Sequence, residues 1–130
     1  NHLFIKSKDK LIKKLTEFDL MYLPLAFKKV STSNYIQIKT AFATKSMEYM
    51  LSGKPILVNA KDDTFTYQYF FKNKAAICLA SSKKSDLEKK IFDIKNGSID
   101  TNSIIKSSKK LLRQHNLDEI SKKFRYLIHL

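Results

Sequence analysis

The sequence predicts a doubly wound α/β domain, a parallel sheet covered by helices on both faces, and three observations carry that prediction. The aliphatic runs "DLMYLPL", "ILVNA" and "AAICLA" lack polar alternation and suit strands buried on both sides. Helix-period stretches lie between them, and strands that alternate with helices imply right-handed crossovers and parallel pairing. Only two glycines and two prolines occur in 130 residues, too few tight turns for an all-β sandwich. With 43% hydrophobic residues the chain can bury one core, so residues 1–130 are read as a single domain.

Taken in order, "HLFIK" (His2 to Lys6) is short, apolar and β-prone, and predicts an opening strand. "SKDKLIKKLTEF" follows with Leu11, Ile12 and Leu15 on one helical face and Ser7 placed as a cap. "DLMYLPL" is the next strand, ended by Pro24. From Ala26 to Ala43 no period is evident, and the segment is read as a long loop, a kind of segment that is often functional. Thr44 to Ser52 has helical spacing, with Met47, Met50 and Leu51 on one side; Gly53 can take the left-handed position that stops it and Pro55 prevents its resuming. Ile56 to Ala60 is a strand, "DDTFTYQYFFKNK" an aromatic helix opened by cap-type residues, and Ala75 to Ala80 another strand. "SDLEKKIFDIKNG" reads as a capped helix closed by Gly97, and "TNSIIKSSKKLLRQHN" and "LDEISKKFRYLIHL" as two more helices. A complete domain of this type begins with a further strand or two, so the chain reads as a fragment or as starting partway through a sheet.

Composition excludes several classes. The single cysteine, Cys78, cannot form an internal disulfide; inside "AAICLA" it reads as a buried structural thiol. No cysteine or histidine pairing offers a zinc site, and His2, His115 and His129 are scattered. No apolar run approaches the ~20 residues that cross a bilayer, and the first residues lack a signal-peptide layout, so a cytoplasmic location is expected. The formal charge of +13 predicts attraction to phosphates of some kind. Nearly all the excess is lysine, with Arg113 and Arg125 the two arginines, and solvated lysine faces explain that balance better than nucleic-acid reading does.

The stretch "ATKSMEYMLSGKPILV" (Ala43 to Val58) carries the candidate site. In open α/β sheets ligands sit beyond the carboxyl ends of the strands, where helix N-termini point free N–H groups at them. The backbone amides of Thr44, Lys45 and Ser46, with two hydroxyls and an ammonium, suit a phosphate or diphosphate. Glu48 lies about one turn further on, and a carboxylate can take both hydroxyls of a ribose diol. Together these residues suit a nucleotide. On a plainer account Thr44 is an N-cap, Lys45 and Glu48 form a surface pair, and Gly53 with Pro55 is ordinary helix termination. Spacing alone favours the plainer account. Lys6 and Ser7, at a strand's carboxyl end, are placed near the base, and Tyr22, Phe27 and Tyr35 are aromatics that could stack on a ligand or belong to the core.

"TKSMEYMLSGKPILV" resembles the motif of GT-B glycosyltransferases of the group 1 (GT4-like) kind, in which lysine, Glu-Tyr-Met, Gly-Lys-Pro and an aliphatic strand recur in the C-terminal, nucleotide-sugar-binding half. "KLIKKLTEFDLMYLPL" and "TYQYFFKNKAAICLASSKKSDLEKKIFDI" resemble the flanking elements in the same order, so the likeness spans nearly the whole chain. It implies a Rossmann-like fold, part of the C-terminal domain of a GT-B enzyme without its N-terminal acceptor domain. It further implies that Glu48 holds the nucleotide ribose and that the helix start at Thr44 to Ser46 faces the diphosphate. Many members carry an earlier glutamate that touches the donor sugar; here that position is Thr40. The implied reaction moves a sugar from a nucleoside diphosphate donor to an acceptor hydroxyl, in surface polysaccharide or glycolipid assembly, without a cofactor or a metal at the phosphates. No Asp-x-Asp motif occurs, and the aspartates of "KDD" (Lys61 to Asp63) read as helix caps. A chain with only these residues is expected to bind nucleotide weakly and to transfer nothing. The rival expectations are a basic α/β module that binds nucleic acid, and a membrane-surface role for the basic, amphipathic "SIIKSSKKLLRQ" at the inner membrane face.

Overall fold

The computed structural model describes residues 5–27 and 32–115. The described elements run α1 (Lys8–Leu15), β1 (Met21–Pro24), α2 (Thr32–Thr40), α3 (Lys45–Leu51), β2 (Ile56–Asn59), α4 (Phe65–Lys72), β3 (Ile77–Leu79), α5 (Lys84–Lys95) and α6 (Thr101–Gln114). The chain is an α/β protein in which three strands form one parallel sheet in the order β1-β2-β3. Parallel neighbours require crossovers; α2 and α3 link β1 to β2, and α4 links β2 to β3. The described strands advance in one direction across the sheet, without the reversal of strand order that double winding requires.

Every residue of β2 is buried, as its unbroken aliphatic character predicts for a central strand. Side chains alternate between the two faces of a strand, and the register aligns Met21 with Ile56, Leu23 with Val58 and Val58 with Cys78. That face, continued by Ala60, joins Met50, Phe70 and Leu111 in the main core, brought in by α3, α4 and α6. Burying Phe70 completely contributes on the order of 1.5–3 kcal/mol. On the other face Leu57 and Ile77 are buried, whereas Tyr22 is 40% exposed. β1 therefore alternates buried and exposed, and β3 is only partly covered, so full burial on both faces holds for β2 alone among the strands predicted to have it.

Helix α3 stops where the sequence says it should. The N–H groups of Ser52 and Gly53 bond back to Glu48 and Met50, and Gly53 sits at φ +68°, a left-handed conformation natural to glycine, before Pro55 leads into β2. Gly97 ends α5 in the same way at φ +79°. Helix α4 is capped by Thr64, whose hydroxyl accepts from the Tyr67 N–H, and α6 by Asp100, which accepts from the Ser103 N–H at 3.0 Å.

Four expectations require correction. Ile5 and Lys6, the described part of the predicted opening strand, carry no strand structure; His2 to Phe4 lie outside the described residues, as does the last predicted helix, Leu117 to Leu130. The loop predicted between Ala26 and Ala43 contains α2, which lacks an apolar stripe and so gives no period to detect. Asp62 and Asp63 do not cap α4, because Thr64 does. Ser7 occupies the N-cap position of α1 without a side-chain cap bond, so its fit there is backbone geometry alone.

Candidate functional site

Thr44, Lys45 and Glu48 come together as the sequence anticipates. With Tyr49 from α3 and Leu11 and Leu15 from α1, they line a cavity of about 290 Å³. The spacing is what sets this up: Leu11 and Leu15 share one face of α1, and that face packs against α3. The N–H groups of Thr44 and Lys45 have no carbonyl partner among the described residues, as expected for a first turn. Thr44 itself has helical angles (φ −59°, ψ −32°) and makes no side-chain cap bond, which leaves its hydroxyl uncommitted.

Glu48 is the unusual member. One oxygen of its carboxylate, Oε2, is shielded from water and has no hydrogen-bond partner among the described residues. The surface pair with Lys45 that a plainer account expects is absent from the ion pairs of the described residues. Leaving a buried acceptor unmade costs on the order of 1–3 kcal/mol, so native proteins keep few such groups.

Ser46 does not join its neighbours. Its N–H is committed to the Ala43 carbonyl at 2.9 Å, and its side chain is fully buried with the hydroxyl unpartnered, away from the cavity lining. Lys6 and Ser7 lie elsewhere too, in a separate hollow of about 560 Å³ along the outer side of α1 with Lys10, Lys13 and Lys14. A second lysine-lined hollow, about 570 Å³, runs along α6 past Lys106, Lys109, Lys110 and Arg113. The apolar side of α6, including buried Leu111, packs on its own domain against α3, which leaves the lysines outward. No described helix is long and apolar enough to cross a membrane.

Sequence reasoning missed a third hollow, about 520 Å³, at the carboxyl ends of the strands. Phe27 enters from beyond β1, Lys61 to Asp63 from beyond β2, Ala80 to Lys83 from beyond β3, and Tyr35 from α2. The Tyr35 hydroxyl donates to Asp63 Oδ2, and Lys39 Nζ lies 3.5 Å from the same oxygen. The Tyr35 hydrogen bond, helped by the Lys39 charge, holds the Asp63 carboxyl below its usual range, and the same bond raises the Tyr35 hydroxyl. Lys61 Nζ stands 4.8 Å over the Tyr35 ring. Asp63 Oδ1, like Glu48 Oε2, is shielded and unpartnered among the described residues. The available signal was positional: an aspartate just past the carboxyl end of a buried strand, beside a threonine better suited to cap the next helix.

Cys78 lies partly buried on β3, and burial pushes its thiol up to about 12, the setting of an inert structural cysteine. Tyr22, one of the three candidate stacking aromatics, donates its hydroxyl to Asn59; Phe27 and Tyr35 line the rim hollow. His115 pairs with the Tyr69 hydroxyl. Among the described residues no three His, Cys, Asp or Glu side chains stand close enough together to hold a metal ion. No family model, curated protein or solved structure matches the chain, so its function is argued from its own residues.

Proposed function

We propose that this chain is the donor-binding portion of a metal-independent glycosyltransferase, which moves a sugar from a nucleoside diphosphate sugar to an acceptor hydroxyl. Two observations on one residue carry the reading: Glu48 lines a cavity with Thr44 and Lys45, and one of its carboxylate oxygens has no hydrogen-bond partner among the described residues. A ribose diol supplies the donors that oxygen lacks, while the Lys45 ammonium, the Thr44 hydroxyl and the free amides at the start of α3 meet the adjoining diphosphate. The likeness of "TKSMEYMLSGKPILV" to group 1 glycosyltransferases points the same way, and a parallel sheet with helical crossovers is compatible with a Rossmann-like domain. Positive charge at the departing diphosphate then does the electrostatic work of transfer. The chain by itself binds donor; transfer to a polysaccharide or glycolipid acceptor takes place with an acceptor domain, at the cytoplasmic membrane face. No catalytic base is assigned.

The lysine-lined hollows on α1 and α6 favour a second reading, a basic module that binds nucleic acid. One titration separates the two. NMR shifts are followed at physiological salt with UDP, GDP, ADP and a mixed RNA oligonucleotide, on the wild type and on Glu48→Ala. The donor reading expects a preference for one nucleoside diphosphate that disappears in Glu48→Ala. RNA binding that survives Glu48→Ala, with no response to any nucleotide, overturns it in favour of the basic module.

A further inference from the structure

The hollow at the carboxyl ends of the strands is a second, separate cluster, and its chemistry is specific. Parallel strands send their following loops to one end of the sheet, so Phe27, Lys61, Asp63, Ser82 and Lys83 converge there from three different loops. The loop after β3 is tied down beside the hollow: buried Asn59, in the amide orientation that satisfies both its ends, donates to the Leu79 and Ser81 carbonyls at 3.0 and 2.9 Å and accepts from the Tyr22 hydroxyl. The wall of the hollow is fixed as well. Tyr35 and Lys39 stand one turn apart on α2 and both engage Asp63 Oδ2. This grip favours the ionised carboxylate, and Oδ1 is left shielded and without a donor among the described residues.

The two halves of the lining ask for different things. Asp63 Oδ1 lacks a donor. Lys61 and Lys83 are in no ion pair with a described residue and attract an anion. A bare phosphate satisfies the lysines and is repelled by Asp63, whereas a neutral polyol satisfies Asp63 and leaves the lysines unmatched. A ligand with hydroxyls beside a phosphate ester answers both, and the hollow has room for one sugar ring with its phosphate. We propose that this hollow binds a sugar phosphate, with Asp63 accepting from ring hydroxyls and Lys61 and Lys83 facing the phosphate.

The same chemistry is found in a hexose phosphate and in the ribose phosphate of a nucleotide, and the test distinguishes them. The full chain is titrated by NMR with glucose 1-phosphate, ribose 5-phosphate, glucose and inorganic phosphate, using wild type, Asp63→Asn and Tyr35→Phe. One of the sugar phosphates is expected to bind about tenfold or more tighter than phosphate or glucose, with shifts at 61–63 and 80–83. Asp63→Asn weakens it by about tenfold or more, the loss of a charge-assisted hydrogen bond. Tyr35→Phe, which frees the carboxylate from its clamp, weakens it several-fold, as read at 61–63 and 80–83 and not at the Glu48 cavity, where a ribose phosphate can also bind. The better of the two sugar phosphates identifies the source. Phosphate binding as tightly as either ester, no binding of any probe, or affinity indifferent to both Asp63→Asn and Tyr35→Phe overturns the proposal. The hollow shares no residue with the Glu48 cavity, so failure here with an intact UDP response leaves the donor reading standing, and the reverse result removes that reading alone.

Discussion

The interior around β2 and the polar groups around it follow opposite rules. Ile56, Leu57, Val58, Met50 and Phe70 are all but fully buried and wholly apolar. At the start of α3 and in the β2–α4 turn, Glu48 and Asp63 each hold a carboxylate oxygen away from water with no donor. A chain that packs its centre this completely has no packing reason to strand two carboxylate oxygens in lined hollows, and exceptions of that kind gather where a ligand completes the structure. Ser46 and Ser108 set the limit of the inference: their buried hydroxyls are also unpartnered among the described residues, but both are neutral and line none of the hollows described. What marks the two sites is a carboxylate in a cavity with cations beside it.

The contrast can be broken from the core side first. Phe70→Ala removes the largest fully buried side chain and is expected to cost about 3–5 kcal/mol. That is much of the stability of a domain this size, and urea unfolding reads it as a large fall in midpoint. A loss below about 1 kcal/mol means that the core around α4 is not the stabilising region described.

A smaller effect is expected where the two regions meet. Thr66 is fully buried, and its hydroxyl accepts from the Ala43 N–H at 3.0 Å and donates to the Ala41 carbonyl at 3.1 Å, which ties the α2–α3 connection to the start of α4. Thr66→Val keeps the shape and strands both backbone groups, at about 1–3 kcal/mol. It should also loosen Thr44, so hydrogen exchange of residues 41–46 should speed up while that of β2 does not. Uniform change across the sheet contradicts that separation.

Much of the fold was legible because the relevant signals are local. β2 shows as an aliphatic run, the end of α3 as Gly53 and Pro55, and α6 as an apolar stripe with lysines opposite. α2 was not legible, because Tyr35, Ile36 and Ile38 do not form one apolar face and the helix is placed by what it touches, notably Asp63. The same reasoning divides the sites. Glu48, Thr44 and Lys45 lie within one turn or so and could be read together. Tyr35 and Asp63 are 28 residues apart, and each had a plausible local role, as core aromatic and as helix cap, that hid the pairing.

The smallest effect concerns acid. The Tyr35 hydroxyl and Lys39 hold the Asp63 carboxyl below the ordinary value of 3.8, so it binds its proton less readily folded than unfolded. Its contribution to stability is therefore fully present above the unfolded value and is lost as pH falls through the lower folded one. In Asp63→Asn the stability profile between about pH 5 and pH 2 should be slightly flatter than in wild type, by a modest amount because the side chain is 39% exposed. An identical acid limb in the two proteins contradicts the Tyr35–Asp63 clamp.

Thermal unfolding of wild type and Glu48→Gln, each with and without the preferred nucleoside diphosphate, tests the central claim that Glu48 serves a ligand and not the fold. Relieving a shielded, unpartnered carboxylate should leave the free protein as stable or slightly more stable, while the ligand-induced rise in Tm seen in wild type disappears. A free Glu48→Gln protein that melts well below wild type, yet keeps the full ligand-induced rise, would show that Glu48 holds the structure together and that the nucleotide binds without it.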